Sequence, residues 1–319
     1  MSLKRFWVSS FTFLFLSTGG FSDVNSTKTS STKASPSQSR AAVSSNLRPN
    51  LTKSKNASSS TSALVSATGI ESLYGYLEFR PSYTTKIGEI HTENTADAGF
   101  KIAPNMKLGY AQWFSTNLIS NLPSTQGLNL TANDGFFYFK ARDVWKSSNE
   151  KWMAAYQLRL ITPTDRNKFK AGYVTTIRNQ FQISHKYNDF FKTDFDYRPI
   201  LHVYNRASVA GLDGAVAANP AFDHQFVLNQ EIHPAEKFSL YLPLIYQLST
   251  FRQDAGVTSP GNWRKLMIFW PELDYEINPI HTVGISYYTD NLISAYGSGL
   301  DLSNGFQKGV AQLVWGINL

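Results

Sequence analysis

The sequence lacks cysteine altogether, has few charged residues, and contains no long apolar run. The absence of cysteine from the 319 residues excludes a disulfide framework and a metal site with thiolate ligands. Only 17% of the residues are charged, whereas 42% are hydrophobic and 14% aromatic, and this balance excludes disorder throughout the chain. No segment reaches the roughly 20 apolar residues that a membrane-spanning helix needs. Residence in a membrane would therefore require strands or attachment to the surface.

The formal net charge of +7 is unevenly placed along the chain. Residues 1–66 contain eight Lys and Arg but a single acid, Asp23, which leaves 22 basic and 22 acidic residues in the remainder. A neutral body behind a basic leader is not typical of a protein that binds phosphate along its surface. We therefore expect no nucleic-acid partner.

The N-terminus has the pattern of an export signal. Lys4 and Arg5 precede the apolar stretch from Phe6 to Leu16, which is followed by the small residues from Ser17 to Gly20. We predict a signal peptide over residues 1–22. Because no cysteine follows it, a lipoprotein anchor is not expected.

A Ser/Thr/Lys-rich segment follows the predicted signal peptide. From Asp23 to Ser66 it lacks Phe, Trp, Tyr and Ile, so it cannot bury enough apolar surface to offset its ordering entropy. We predict a disordered arm over residues 23–68. It would serve as a plain spacer or contact anionic polymers and lipid headgroups, and the sequence leaves both open.

From residue 69 onwards the chain alternates apolar and polar residues with a period of two, which indicates strands. Twelve such runs can be counted. They span residues 72–83, 95–102, 106–114, 134–145, 152–162, 168–184, 191–204, 222–232, 238–251, 265–277, 282–288 and 310–319.

The connections between these runs alternate between short and long. Short turns such as 103–105 and 186–189 follow the even-numbered runs, and longer loops such as 205–221 and 289–309 follow the odd-numbered ones. An even number of antiparallel strands with short turns at one end and long loops at the other is typical of a transmembrane β-barrel. We therefore predict an all-β fold, a twelve-stranded antiparallel transmembrane barrel over residues 69–319.

The alternation is equally compatible with a soluble β-sandwich. In the ninth run, Phe238 to Leu248 place six large apolar residues on one face, which would form the core of a sandwich or the lipid-facing surface of a barrel. The export signal, the alternating connections and the aromatic residues at the strand ends favour the barrel. Trp145 and Trp152, which flank one short turn, are examples of such aromatics.

Two stretches carry a resemblance to known proteins. The final run, Gly309 to Leu319, resembles the C-terminal strand of bacterial outer-membrane proteins, although it ends on Leu319 rather than Phe or Trp. Residues 75–83 together with 91–95 are similar to porin-like outer-membrane proteins of predatory bacteria such as Bdellovibrio. The resemblance implies a location in the outer membrane, contact with lipids and lipopolysaccharide, and insertion by the barrel assembly machinery.

If the apolar face of each strand points outward, the interior is lined by charged residues. The predicted pore-lining basic residues are Lys140, Arg142, Arg159, Lys170, Arg178 and Arg198, and the acidic ones are Asp223, Glu231, Glu272, Asp274 and Glu276. The acidic strands carry no base of their own, and Lys140 and Arg142 would face Glu272 and Asp274 across the lumen. Two interpretations remain open: a transverse field that admits small hydrophilic solutes, or ion pairs that close a narrow lumen.

Signals for catalysis are weak. The segment Asp301 to Gly305 matches the last three letters of the His-x-Ser-Asn-Gly motif of outer-membrane phospholipases, but Asp301 stands where that motif has the basic His. His202 points inward and is expected to be a hydrogen-bonded lumen residue rather than a catalyst. No phosphate loop, Rossmann fingerprint or metal-ligand cluster is present, so no cofactor is expected.

These observations predict a porin-like outer-membrane channel for small hydrophilic solutes. The alternatives are a non-conducting structural or lipid-binding barrel and, third, a lipid-acting enzyme. A monomer and a homo-oligomer are both compatible with the sequence.

Overall fold

The computed structural model describes residues 73–84, 89–119, 129–164, 172–210, 216–252 and 263–319. These residues form almost nothing but strands. The predicted signal peptide, residues 1–22, and the predicted arm, residues 23–68, lie outside the described residues and stay predictions.

Twelve strands build a single barrel, and we number them β1 to β12 in chain order. They are β1 Leu73–Thr84, β2 Glu89–Ala103, β3 Met106–Ile119, β4 Asn129–Lys146, β5 Trp152–Thr162, β6 Tyr173–Lys186, β7 Phe191–Tyr204, β8 Pro220–Ala235, β9 Phe238–Phe251, β10 in the two segments Arg264–Phe269 and Glu272–Glu276, β11 His281–Tyr288 and β12 Val310–Asn318.

Every strand pairs antiparallel with its neighbours in the sequence, and the first strand pairs with the last. The β1–β12 register joins Leu77 to Ile317 and Tyr83 to Ala311. The sheet therefore closes on itself and leaves no strand edge unpaired along this seam. The predicted twelve-stranded antiparallel barrel is confirmed.

Strand boundaries at the long-loop end differ from the prediction. β2 begins at Glu89 rather than at residue 95, so only residues 85–88 separate it from β1, and the expectation of a long loop after β1 is wrong. Beyond the apolar band, polar residues such as Thr92 occupy both faces. The alternation of apolar and polar residues is therefore lost in this part of β2, although its backbone pairing with β1 continues, for example between Arg80 and Glu93.

Strand β10 is interrupted at Trp270 and Pro271 without a change of register. Leu244 pairs with Phe269 in the first segment and Tyr241 pairs with Glu272 in the second, which is the same offset. Because Pro271 and its neighbour Pro243 have no N–H, the ladder loses donors at this level. Trp270 N still donates to Pro243 O at 2.9 Å.

The long-loop end carries additional structure. A two-stranded hairpin, Ser208–Ala210 with Val216–Ala218, lies between β7 and β8. Between β11 and β12 the chain forms a short helix, α1 Leu302–Gln307. Gly305 of this helix approaches Leu292 so closely that a Cβ would lie 2.7 Å from a Leu292 methyl group. This loop is thereby packed against itself.

The barrel is apolar outside and polar inside. Large apolar residues such as Phe137, Leu158 and Leu313 are exposed on the outer face, whereas Arg80, Glu272 and many other polar side chains are buried on the inner face. A soluble protein arranges these classes the other way round. This inversion distinguishes the chain from the sandwich that the sequence left open.

Aromatic residues gather on the outer face at the short-turn end. His185 lies 4.2 Å from Trp152 and 4.4 Å from Tyr187 between ring centroids. Such girdles are typical of the boundary between lipid and water.

A charge on the outer face tests this orientation. Leu244 points outward near the middle of β9, so Leu244→Arg is expected to destabilise the folded protein in lipid vesicles by about 2–4 kcal/mol. Gln247→Arg, on the inner face of the same strand, should escape this cost. Urea titrations followed by tryptophan fluorescence measure both, and a larger loss for Gln247→Arg would contradict the orientation.

Candidate functional site

The interior of the barrel is the candidate site, and most of the predicted basic residues lie there. Lys140 is the register partner of Lys107 and Gln157, and Arg159 is the partner of Tyr138 and Arg178, all on the inner face. Arg142 lies at the short-turn end, where its backbone N–H donates to Asn105 O at 2.7 Å. Lys170 lies outside the described residues. Whether these groups line a pore stays a prediction.

The predicted acidic residues also point inward. Asp223 and Glu231 occupy inner positions of β8 opposite Ser249 and Tyr241. The remaining three, on β10, are Glu272, Asp274 and Glu276. Asp223, Glu272 and Asp274 are each almost completely buried.

An arginine that the sequence analysis did not assign neutralises part of this acidic wall. Arg80 on β1 donates from Nη1 and Nη2 to the two carboxylate oxygens of Glu272, at 2.7 and 3.2 Å. Its Nε donates to Glu78 at 2.7 Å. The signal was present, because Arg80 shares the parity of Tyr74 and Tyr76 on β1, and it could have been placed inward from the alternation alone.

Basic partners from β7 serve the acids of β8. Lys192 Nζ lies 3.2 Å from Glu231, and His202 Nε2 lies 2.8 Å from Asp223. The acids of β8 thus find basic partners on the neighbouring strand β7, although β7 and β8 belong to the predicted basic and acidic walls respectively. Lys192 and Glu231 are direct register partners, whose Cβ atoms lie about 5 Å apart, so this pair forms along the wall rather than across the lumen.

A polar network crosses the seam between the first and last strands. Gln312 Nε2 donates to Ser82 Oγ at 2.9 Å and to Glu93 Oε2 at 3.1 Å, and its carbonyl oxygen accepts from Ser286 Oγ at 3.1 Å. These bonds link β2, β1, β12 and β11 within the interior. Together with the Arg80–Glu272 pair, these side-chain hydrogen bonds stabilise the closed barrel in addition to the backbone pairing of β1 with β12.

Towards the short-turn end two tyrosines meet in the interior. The hydroxyl groups of Tyr74 and Tyr138 contact each other, and Tyr138 Oη donates to Asp97 Oδ1 at 2.7 Å. Lys107 Nζ lies 4.2 Å from the centroid of the Tyr74 ring. Gly109 leaves space for both rings, since a Cβ there would lie 2.6 Å from each hydroxyl oxygen.

Apolar clusters occupy other parts of the interior, which the prediction of a charged lumen did not include. One contains Val227, Ile245, Leu266, Ile268, Trp270, Tyr288 and Val310, and the other contains Ala111, Trp113, Phe136, Tyr138 and Ile161. Each is built from inward positions of neighbouring strands. Ionisable groups therefore share the inner wall with packed apolar side chains.

The residues considered for catalysis have structural contacts. Besides its contact with Asp223, His202 Nδ1 lies 2.9 Å from Thr176 Oγ1. Asp301 accepts a hydrogen bond from Asn304 Nδ2 at 2.9 Å in α1. Within the described ranges, no group of three or more His, Asp or Glu side chains is placed to hold a metal ion.

An inverted, closed barrel with a polar interior defines the class of outer-membrane β-barrel folds. An outer membrane channel from Pseudomonas putida F1 shares this fold with a TM-score of 0.50 at 9% identity, over 78% of this chain and 95% of that chain. The NanC porin aligns with a TM-score of 0.46 at 12% identity, over 76% of this chain and 98% of its own. The KdgM porin aligns at 0.46 and 7% identity, over 76% and 99%.

No protein-family model and no curated protein sequence matches the chain. The similarity to porin-like proteins of predatory bacteria stays a prediction. Among the described residues, no helix is long and apolar enough to cross a membrane.

Proposed function

We propose that the chain is a porin-like channel of the bacterial outer membrane for the passive passage of small hydrophilic solutes. The observation that carries this proposal is the inner face of the barrel, where charged side chains from β1, β5, β7 and β10 are gathered behind an apolar outer face. A barrel needed only as a membrane anchor gains nothing from so many ionisable groups, because each loses hydration on burial.

The proposal includes the partners expected of such a protein. The apolar outer face contacts membrane lipids and lipopolysaccharide, and the alternating strand β12, which ends next to Leu319, is presented to the barrel assembly machinery. A homo-oligomer and a monomer both fit this arrangement. No nucleic acid and no cofactor belong to the proposal.

A second function is favoured by the burial of the inner wall. Arg178 and Arg198 have no exposed surface, and Glu272 is 2% exposed. An interior packed this tightly supports a non-conducting barrel that has a structural or lipid-binding role. Twelve strands lie between the small barrels that side chains fill and the 16-stranded barrels that hold a water channel.

Conductance of the purified protein in a planar bilayer decides between the two functions. We expect steady, ohmic steps, recorded both with the full chain and after deletion of residues 23–66. Insertion of both forms without conductance would exclude the channel and favour the filled barrel.

Ion selectivity tests the basic wall. Lys140→Glu places a negative charge on the inner face beside Arg159 and Lys107, so the reversal potential in a salt gradient is expected to move toward cation selectivity. Lys151→Glu makes the same charge change in the exposed short turn between β4 and β5 and should have little effect. Equal shifts for both variants would indicate that the inner wall does not select ions.

A further inference from the structure

The loop between β11 and β12 presents large apolar side chains on its surface. In α1, Leu302 and Phe306 are four residues apart and therefore share one face of the helix. Leu302 is 47% exposed and Phe306 44%, and Leu300, just before the helix, is 69% exposed. We call these three residues the apolar loop face.

The other two faces of α1 have a different character. Gly305 is buried and packs against Leu292, which fixes one face of the helix to the rest of the loop. Ser303 and Gln307 form a polar face that is exposed to solvent, where Gln307 Nε2 donates to Ser303 Oγ at 3.4 Å. The helix thus has one packed face, one polar face suited to water, and the apolar loop face.

The helix α1 is held beside the outer face of the barrel. Ser286 lies on the inner face of β11, where its hydroxyl donates to Gln312, so Tyr287, the next residue, points outward. The hydroxyl group of Tyr287 donates to the backbone oxygen of Phe306. Gly309 leaves space for this contact, since a Cβ there would overlap the Tyr287 ring. The position of α1 is therefore tied to an outward-facing residue.

The apolar loop face continues the lipid-facing surface of β11 and β12. Two residues from Tyr287 towards the short-turn end, Ile285 and its register partner Leu313 are exposed on the outer face. Tyr287 follows them at the long-loop end, and Phe306 of α1 follows Tyr287. An aromatic residue at the end of a lipid-facing strand is typical of the boundary between lipid and water.

The two strands below α1 are short for a membrane crossing. β11 has eight residues and β12 nine, whereas a tilted transmembrane strand needs about 9–11. At a rise of about 3.4 Å per residue and a tilt of about 45°, eight residues cover roughly 19 Å of an apolar band that is about 25 Å tall. Because His281 begins β11 directly after a short turn, the uncovered part of the band falls at the long-loop end, where α1 lies.

We propose that the apolar loop face inserts into the outer leaflet of the membrane, where lipid acyl chains cover Leu300, Leu302 and Phe306. Transfer of this apolar surface from water to hydrocarbon is favourable. The loop then completes the apolar band that β11 and β12 leave short. This inference rests on the membrane location in the proposed function, but it does not depend on conductance.

Site-directed fluorescence tests the proposal. Since the chain contains no cysteine, a single introduced cysteine can carry the fluorophore nitrobenzoxadiazole. The full chain is folded into phosphatidylcholine vesicles with the label on Leu302→Cys or, separately, on Phe306→Cys. We expect a blue-shifted emission that is quenched by phosphatidylcholine with brominated acyl chains and only weakly by iodide in the aqueous phase.

Two matched controls lie on the polar face of the same helix. Ser303→Cys and Gln307→Cys place the label within one residue of the test positions but towards water. Their emission should lie at longer wavelength and should be quenched by iodide rather than by brominated lipid. With two positions on each face, the comparison does not depend on the folding of any one variant.

Each outcome decides for or against the proposal. Quenching by brominated lipid at positions 302 and 306, but not at 303 and 307, supports it. Equal quenching by iodide at all four positions overturns it, because the apolar loop face would then lie in water. A blue-shifted emission without quenching by brominated lipid also overturns it, since protein, such as a second copy of the chain, would cover this face. A barrel that does not conduct would leave these results unchanged, so failure of the channel and failure of this inference are distinguishable.

Discussion

Arg80→Ala is expected to destabilise the barrel by about 3–5 kcal/mol, because it leaves Glu272 and Glu78 as buried carboxylates without their guanidinium partner. Arg80 is 3% exposed and Glu272 2%. Urea unfolding in lipid vesicles, followed by tryptophan fluorescence, measures the change in the free energy of unfolding.

Lys186→Ala serves as the matched control for the loss of an ion pair. Lys186 lies 2.5 Å from Asp189, but both side chains are largely exposed to water, so the removal of Lys186 should cost far less than the removal of Arg80. The combined variant Arg80→Met, Glu78→Gln and Glu272→Gln should recover part of the stability lost in Arg80→Ala. Similar losses for Arg80→Ala and Lys186→Ala would show that the buried cluster is not what stabilises this wall.

Trp270→Ala is expected to cost about 3–5 kcal/mol through the cavity that it leaves. Its indole is 1% exposed, packs 5.4 Å from the ring of Tyr288, and lies 5.8 Å from the guanidinium carbon of Arg80. The same urea titration measures this loss, with the fluorescence of the remaining tryptophans as the signal.

Trp263→Ala provides the comparison for Trp270→Ala. Trp263 is 43% exposed, so its truncation should cost clearly less. Because Trp270 and Arg80 are in contact, the double variant should lose less than the two single losses combined. Full additivity would mean that the two side chains stabilise the barrel independently.

The fold could be predicted from the sequence because the lipid-facing side chains of each strand must be apolar. β5, β7 and β9 begin and end at the predicted residues, since their apolar residues alternate along the whole strand. β2 was predicted too short because the residues from His91 to Asn94 lie at the long-loop end, where both faces are polar. In this region backbone hydrogen bonds to β1 keep the chain extended. Such hydrogen bonds do not require an alternation of apolar and polar residues, so they cannot be predicted from the sequence of β2 alone.

The alternation of the sequence predicts which side chains point into the barrel, but it does not predict which side chains they contact. Alternation placed Arg178 and Glu272 on the inside, and Arg80 could have been placed the same way. The identity of the contacts depends on the stagger between strands: Arg80 of β1 reaches past β12 and β11 to Glu272 of β10. The sequence of a single strand contains no information about such a stagger, so the opposition of Lys140 and Glu272 across the lumen stays a prediction.

The polar network across the seam bears on how the chain folds. Arg80 and Glu272 are 192 positions apart, and Gln312 and Glu93 are 219 apart, so these contacts close very large loops. The entropy lost on closing these loops is offset only when the last strand joins the first and the contacts form. Until the seam closes, Arg80 on the edge strand β1 cannot pair with Glu272 on β10, which lies two strands in from the other edge of the open sheet. Once formed, the seam must open before these contacts separate, so variants in it are expected to change the rate of unfolding more than the rate at which the earlier hairpins form.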